Sequence, residues 1–161
     1  MSARDDILAS IRKNRPQVTR PLPAVRLFDT DRPASLLAAF KESLERMGGL
    51  FLDPAVVGDF LAPVRATIAG AKVVRSAVPE IAGNRDTAAV REPGELADVD
   101  VAIVRAAFAV AETGSVLLSD SELRVNAVAY LAQHLIVLLD PADIVVNIHH
   151  AYRHPEFRCR R

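Results

Sequence analysis

The chain has 161 residues, of which 50% are hydrophobic and 25% are charged, and its formal net charge is zero. This length suits one domain with a sizeable core. The composition excludes a largely disordered chain, which would need low hydrophobicity and high net charge. A single cysteine, Cys159, forms no intramolecular disulfide and cannot by itself supply the four ligands of an iron–sulfur cluster or a structural zinc site.

The charge and hydropathy patterns also bear on partners and location. A net charge of zero gives no global field that would attract nucleic acid. The first residues are charged and lack the apolar core of a signal peptide. Apolar runs such as Leu135–Leu139 are too short to cross a bilayer. We therefore expect a cytoplasmic protein with no membrane span and no nucleic-acid partner.

The N-terminal region predicts a helix followed by an extended arm. Ser2 and Asp5 resemble a capping box, which marks a helix start. This helix should end near Asn14, because Pro16 disfavours helical backbone at the residue before it. Four prolines between residues 15 and 33 interrupt any periodicity. We predict a helix and arm over residues 1–32 and an α/β domain over residues 33–161.

Several elements are predicted between this arm and residue 99. The first is a helix that begins at Pro33, ends at Gly48-Gly49 and carries an apolar stripe of Leu36, Leu37, Phe40 and Leu44. A strand at Gly49–Leu52 and a helix from Asp53 to Ile68 follow, and Pro63 must kink or split that helix. The last are a strand at Ala71–Arg75 and a loop over 79–95, within which a strand at Ala88–Arg91 is an option.

The remainder is dominated by apolar runs. Val99–Val110 is a nearly unbroken apolar run that holds two charges, Asp100 and Arg105, and Ser115–Leu118 is another short apolar run. Runs of four to eight residues that are rich in Val and Ile are typical of strands buried on both faces. A further buried strand is predicted at His134–Leu139. Asp140-Pro141 should open the last helix, and Pro155 should end it. The residues on its inward face would be Ile144, Val145, Ile148 and Tyr152. Strands alternating with helices predict an α/β fold with a largely parallel sheet.

The turn Glu112-Thr113-Gly114-Ser115 is the best candidate for a functional surface. Gly114 permits a tight turn and close approach of a ligand. Ligands of open α/β sheets bind near strand ends, where a carboxylate can act as a nucleophile or base. Spacing alone nevertheless favours the plainer interpretation, a hairpin-like turn with an exposed acid.

Other chemical motifs are weak or missing. His150 and His154 are four residues apart and could share a helix face as metal ligands, but Pro155 argues against a helix there. His134 precedes a buried strand and suits a structural imidazole. The sequence has no phosphate loop, dinucleotide-binding glycine motif or serine-hydrolase elbow.

Four segments together resemble the lactate-utilisation protein C family, known as the LUD domain. They are Arg4–Arg12, Phe108–Ser115, Tyr130–Val137 and Asp140–Tyr152. The similarity extends over most of the chain and is weakest between about residues 15 and 95. The resemblance implies a three-layer fold like that of the ribose-phosphate isomerase and CoA-transferase group.

The resemblance also implies a role in oxidising L-lactate to pyruvate together with iron–sulfur proteins. This chain would be the subunit without a cofactor, acting as an accessory or ligand-binding protein, and it could form a homo-oligomer. The ligand would be a small carboxylate. We expect Thr113, Gly114, Ser115, Asn126 and His134 to bind it, and no residue to bind a metal.

Two alternatives remain open. CoA transferases of this fold group carry a nucleophilic glutamate in a Glu-Asn-Gly turn, and Glu112-Thr113-Gly114 resembles that turn, so Glu112 could be catalytic in an acyl or carboxylate enzyme. Family members also usually continue beyond the point matching Arg161 into a Ser/Thr-rich loop, a helix and a strand. The resemblance therefore predicts a truncated chain with an incomplete pocket and an unpaired sheet edge, and the second alternative is an inactive remnant.

Overall fold

The computed structural model describes residues 2–16, 18, 20–21, 23–28, 30–55, 57–86, 90 and 92–158. Its helices are α1 (Ala3–Asn14), α2 (Leu36–Arg46), α3 (Ala62–Ile68), α4 (Asp120–Leu123), α5 (Val128–Leu131), α6 (Ile148–Arg153) and α7 (Pro155–Arg158). Its strands are β1 (Val74–Ser76), β2 (Val101–Arg105), β3 (Phe108–Val110), β4 (Ser115–Leu117), β5 (His134–Leu138) and β6 (Ile144–Val145). Short 3₁₀ turns cover Pro93–Leu96 and Pro141–Asp143.

The strands form two three-stranded sheets. The first has the order β1-β2-β5 and is parallel throughout. The second has the order β4-β3-β6, in which β3 runs antiparallel to β4 and parallel to β6. The predicted α/β fold with a largely parallel sheet is therefore confirmed. The three-layer arrangement and the named fold group stay predictions.

One stretch of chain supplies the central strand of both sheets. Only Ala106 and Ala107 separate β2 from β3. The Ala106 N–H donates to the Leu138 carbonyl at 2.9 Å, beside the first sheet, and the Ala107 N–H donates to the Leu117 carbonyl at 3.0 Å, in the second. The chain therefore changes hydrogen-bonding partners between two successive residues.

The core lies on both faces of this central stretch. Val101 and Ile103 pack on one face of β2 with Val64 and Ile81, whereas Ala102 packs on the other face in a cluster that includes Leu96, Val99 and Val128. Burial on both faces is thus confirmed for β2 and β3. It is wrong for β4 and β5, which are half-buried because each lies at the edge of its sheet.

The first two helices form as the local sequence predicts, with one change of boundary. Ser2 and Asp5 make the predicted capping box of α1. Its apolar residues stay exposed, with Ile7 61% and Ile11 60% accessible. The N-terminal boundary of α2 was predicted too early, because Ser35 caps this helix by accepting from the Ala38 N–H at 3.2 Å.

The predicted elements between α2 and β1 are largely wrong. No strand forms at Gly49–Leu52, and the helix predicted from Asp53 exists only as α3. Pro63 stands in the first turn of α3, where its missing N–H costs no helical hydrogen bond. The Asp53 carboxylate pairs with Lys41 at 3.0 Å instead of capping a helix. The optional strand at 88–91 falls outside the described residues except for residue 90.

The final helix also differs from its prediction. Asp140 accepts from the Ala142 N–H at 2.9 Å, but the helical turn it opens ends at Asp143 because the next two residues pair with β3 as β6. Helix α6 starts later, behind the cap Asn147. Its buried residue is Ala151, whereas Tyr152 is 56% exposed.

Four contacts join the arm to α6 and its cap Asn147. The Asn147 side-chain amide donates to the carbonyls of Leu27 at 2.8 Å and Phe28 at 2.9 Å. The Phe28 ring lies 4.9 Å from the His149 ring, centroid to centroid. Arg153 donates to the Val25 carbonyl at 2.8 Å. This part of the arm therefore has defined partners, and the division at residue 32 stays a prediction.

Among the described ranges, no helix combines the length and apolar character that a membrane crossing requires.

Asp100 fixes the start of β1 beside β2. One of its carboxylate oxygens accepts from the N–H groups of Lys72 at 2.7 Å and Val73 at 2.8 Å. These hydrogen bonds favour the charged form and lower the pKa of Asp100 below its ordinary value.

Because the folded state lowers this pKa, the Asp100 contribution to stability is complete above the unfolded-state pKa and is lost as pH falls through the folded-state pKa. We expect Asp100→Asn to be less stable than the parent protein at neutral pH and to lose less stability on acidification. Urea unfolding between pH 7 and about pH 3 measures this. Parallel pH profiles for the two proteins would contradict it.

Candidate functional site

The predicted turn follows β3 and is fastened to the chain on both sides. The Ala111 N–H donates to the Val145 carbonyl at 2.9 Å, which continues the pairing of β3 with β6. The Gly114 N–H donates to the Val110 carbonyl at 3.0 Å and closes the turn before β4. The backbone of the turn is therefore held in one position by the strands that flank it.

Glu112 is exposed at this turn, yet each of its polar groups has a partner. Its N–H donates to the Val146 carbonyl at 3.1 Å, and its carbonyl accepts from the Ser43 hydroxyl at 3.2 Å. Its carboxylate accepts from the N–H of Ile148, the first residue of α6, at 3.2 Å. A carboxylate there also interacts favourably with the helix dipole. Glu112 therefore stabilises the start of α6, independently of any catalytic or ligand-binding role.

Gly114 is required by the packing of the turn against α2. Its φ is +69°, a region that favours glycine. A Cβ at this position would lie 2.5 Å from the Leu44 nitrogen and 2.7 Å from the Leu44 Cα. The glycine thus serves close approach between two parts of the chain. Whether a ligand also approaches it stays a prediction.

The remaining turn residues differ in accessibility. Ser115 is exposed at the start of β4, where a ligand could reach it. The Thr113 hydroxyl oxygen is buried and has no hydrogen-bond partner within the described part of the chain. A buried hydroxyl without a partner is uncommon in folded proteins.

The other two predicted ligand residues lie elsewhere. His134 pairs with Val101 at the amino end of the first sheet, whereas Glu112 follows β3 at the far end of the central stretch. The Asn126 side-chain amide donates to the Asp120 carboxylate at 2.8 Å, beside α4. No contact described here joins Asn126 or His134 to the turn, so the predicted ligand set is not brought together.

The remaining histidines have separate environments. His150 shares a hydrogen bond of 2.9 Å with the Asn147 side chain, and His149 contacts Phe28. The His154 ring lies 4.4 Å from Phe108, and its Nδ1 is buried without a hydrogen-bond partner. Within the described ranges, no group of three or more His, Cys, Asp or Glu side chains is placed to hold a metal ion.

A cleft of about 490 Å³ opens where β2 passes into β3. Its lining residues come from distant parts of the chain: Arg105, Ala106, Ala107, Glu122, Asp143, His154 and Glu156. Local sequence patterns did not predict this cleft, because four separated segments form it. Arg105 was the available signal, because it and Asp100 are the two charges in an otherwise apolar run. It forms an ion pair with Glu80.

The charges of the cleft make it a poor site for an anion. Three carboxylates line it, against one guanidinium and one imidazole. A bound carboxylate would be repelled by these acids. The cleft is better suited to a neutral or cationic group that donates hydrogen bonds.

Comparison with known proteins matches part of the chain to a protein family. The family model described as the LUD domain matches residues 81–154, which include β2 to β6 and the turn at Glu112. No curated protein and no solved structure matches the chain significantly.

Replacing Gly114 by alanine should destabilise the protein by about 2–4 kcal/mol, through the left-handed backbone and the clash with α2. The matched control is Gly70→Ala, because a Cβ at Gly70 meets no atom within 4 Å and its φ is not positive. Chemical denaturation of both variants measures the difference. Equal midpoints for Gly114→Ala and Gly70→Ala would contradict the packing argument.

Proposed function

We propose that this chain is a LUD-domain protein of lactate utilisation, because the LUD-domain family model matches its residues 81–154. Its role would be that of a cluster-free accessory or ligand-binding subunit in the oxidation of L-lactate to pyruvate. The observation that carries this proposal is the family match, which covers the whole central stretch and the candidate turn.

The proposed role assigns the electron transfer to other proteins. Oxidising L-lactate to pyruvate removes two electrons and two protons, and an acceptor must take the electrons. Iron–sulfur clusters are typically held by four cysteine thiolates, whereas this chain has one cysteine. We therefore propose that iron–sulfur proteins in the cytoplasm accept the electrons and that this chain binds a small carboxylate or one of those partners.

Growth on lactate tests the pathway assignment. A strain that lacks this chain, with the neighbouring genes intact, should grow poorly on L-lactate as sole carbon source and normally on pyruvate, because only the oxidation step is affected. Complementation with the parent gene is the control for the deletion itself. Normal growth on lactate would count against the proposal.

The rigid setting of Glu112 favours one alternative, a CoA-transferase-like enzyme. Its backbone N–H and carbonyl are both hydrogen-bonded, so the exposed side chain starts from a fixed position. A carboxylate oxygen of Glu112 would attack the carbonyl carbon of an acyl-CoA thioester. The carbon–sulfur bond would break, the CoA thiolate would leave, and the enzyme would carry a mixed anhydride.

This alternative predicts a trappable adduct. After incubation with acetyl-CoA or a larger acyl-CoA, borohydride or hydroxylamine should modify Glu112, and mass spectrometry of the peptides should locate the change. Glu112→Gln should abolish it while leaving an acceptor for the Ile148 N–H. The matched control is Glu42→Gln, a substitution of an exposed acid on α2. An unmodified parent protein would rule out the covalent mechanism.

A further inference from the structure

A buried guanidinium stands out among the charged groups of this protein. Arg75, the middle residue of β1, is only 4% exposed. Its Nε is buried without a hydrogen-bond partner, and its Nη1 donates to the Ser76 carbonyl. A buried charge is costly unless it is paired and its donors are satisfied. The hydrogen bond described for Arg75 uses one of its five N–H donors, and the buried Nε is a donor that has no partner.

The sheet register shows which face Arg75 occupies. Arg75 pairs with Ala102, and paired residues of adjacent strands project to the same face. Ala102 belongs to an apolar cluster that also contains Val73 and Val125. The guanidinium therefore lies on the same face as this apolar cluster, whose side chains offer it no hydrogen-bond acceptor.

Two other charged residues act on this guanidinium. Burial lowers the pKa of Arg75, the positive charge of Arg124 lowers it further, and the negative charge of Asp86 raises it. Arginine remains charged at neutral pH in spite of such shifts. The positive charges of Arg75 and Arg124 would both attract a bound anion, whereas the negative charge of Asp86 would oppose it.

The position of these groups suits a ligand site. The contact between Arg75 and the Ser76 carbonyl places the guanidinium at the carboxyl end of β1. Ligands of open α/β sheets bind at the carboxyl ends of the strands. Arg124 is exposed, so solvent reaches this side of the group. By contrast, the cleft beside Arg105 is lined by three acids and would repel the same anion.

We propose that Arg75 and Arg124 bind the carboxylate of a small organic acid at the carboxyl end of β1. Guanidinium groups match the planar, bidentate geometry of a carboxylate. The inference deepens the proposed function and rests on it for the choice of a carboxylate. The choice of this position rests on the burial of Arg75 and on its Nε, which has no hydrogen-bond partner.

The variants can separate binding from folding. Arg124 has a φ of +61°, which asparagine tolerates better than most residues, so Arg124→Asn removes the charge without disfavouring the backbone. Arg75→Met replaces the buried charge by an apolar chain that is also unbranched, and its thermal unfolding shows whether the fold is kept. Arg12→Gln, an exposed arginine on α1, is the control for loss of one positive charge.

The experiment is isothermal titration calorimetry with sodium L-lactate, sodium pyruvate and sodium phosphate at constant ionic strength. We expect the parent protein to bind lactate or pyruvate, and the Arg12→Gln variant to bind the same ligand with the same affinity. Arg124→Asn should weaken binding by about 10-fold or more, as expected for loss of a charged hydrogen bond. Arg75→Met should abolish binding while its thermal unfolding stays cooperative.

Three results would overturn the inference. They are no carboxylate binding by the parent protein, unchanged affinity in both arginine variants, and binding of phosphate without binding of either carboxylate. Growth on lactate separates this inference from the proposed function. If carboxylate binding depends on Arg124 but the deletion strain grows normally on lactate, the binding site is supported and the lactate pathway is rejected. A growth defect with no carboxylate binding would reject the site alone.

Discussion

The structure depends on one stretch of chain, residues 101–110, that is the middle strand of two sheets in succession. The stretch can serve both sheets because Ala106 hydrogen-bonds to Leu138 beside the first sheet and Ala107 hydrogen-bonds to Leu117 in the second. Larger side chains there would have to fit where two sheets meet, beside the cleft that both residues line. The other four strands described all pair with this stretch. The register of that pairing therefore decides where the turn at Glu112 and β6 lie. It also decides where the N-terminal arm lies, because Asn147 binds the arm and follows β6.

Sequence patterns predicted the parts of the fold that local chemistry decides. The capping box at Ser2 and the apolar central run were both confirmed. Predictions failed where distant residues compete for the same groups. Asp53 could cap a helix but is paired with Lys41, and Ile144 could extend a helix but pairs with Ala109 in a strand. These competing contacts join segments that are far apart in the sequence, so they cannot be predicted from a short stretch of residues.

The candidate site shows the same division. The turn at Glu112 was predicted because its glycine and its flanking apolar runs are local signals. Its actual neighbours, Ser43 on α2 and Ile148 on α6, could not be read from spacing. The burial of Arg75 was missed for a related reason, since an arginine in a short strand resembles an ordinary exposed residue until the covering segment is known.

Asn147 has a consequence for how the protein folds. This one side chain caps α6 and also holds the carbonyls of Leu27 and Phe28, 120 and 119 residues earlier. During synthesis the arm leaves the ribosome long before its anchor exists. A contact between such distant residues closes a large loop, which is slow to form and gains stability only once the intervening sheets are in place. We expect docking of the arm to be a late step, so that nascent chains expose it to proteases and chaperones throughout synthesis.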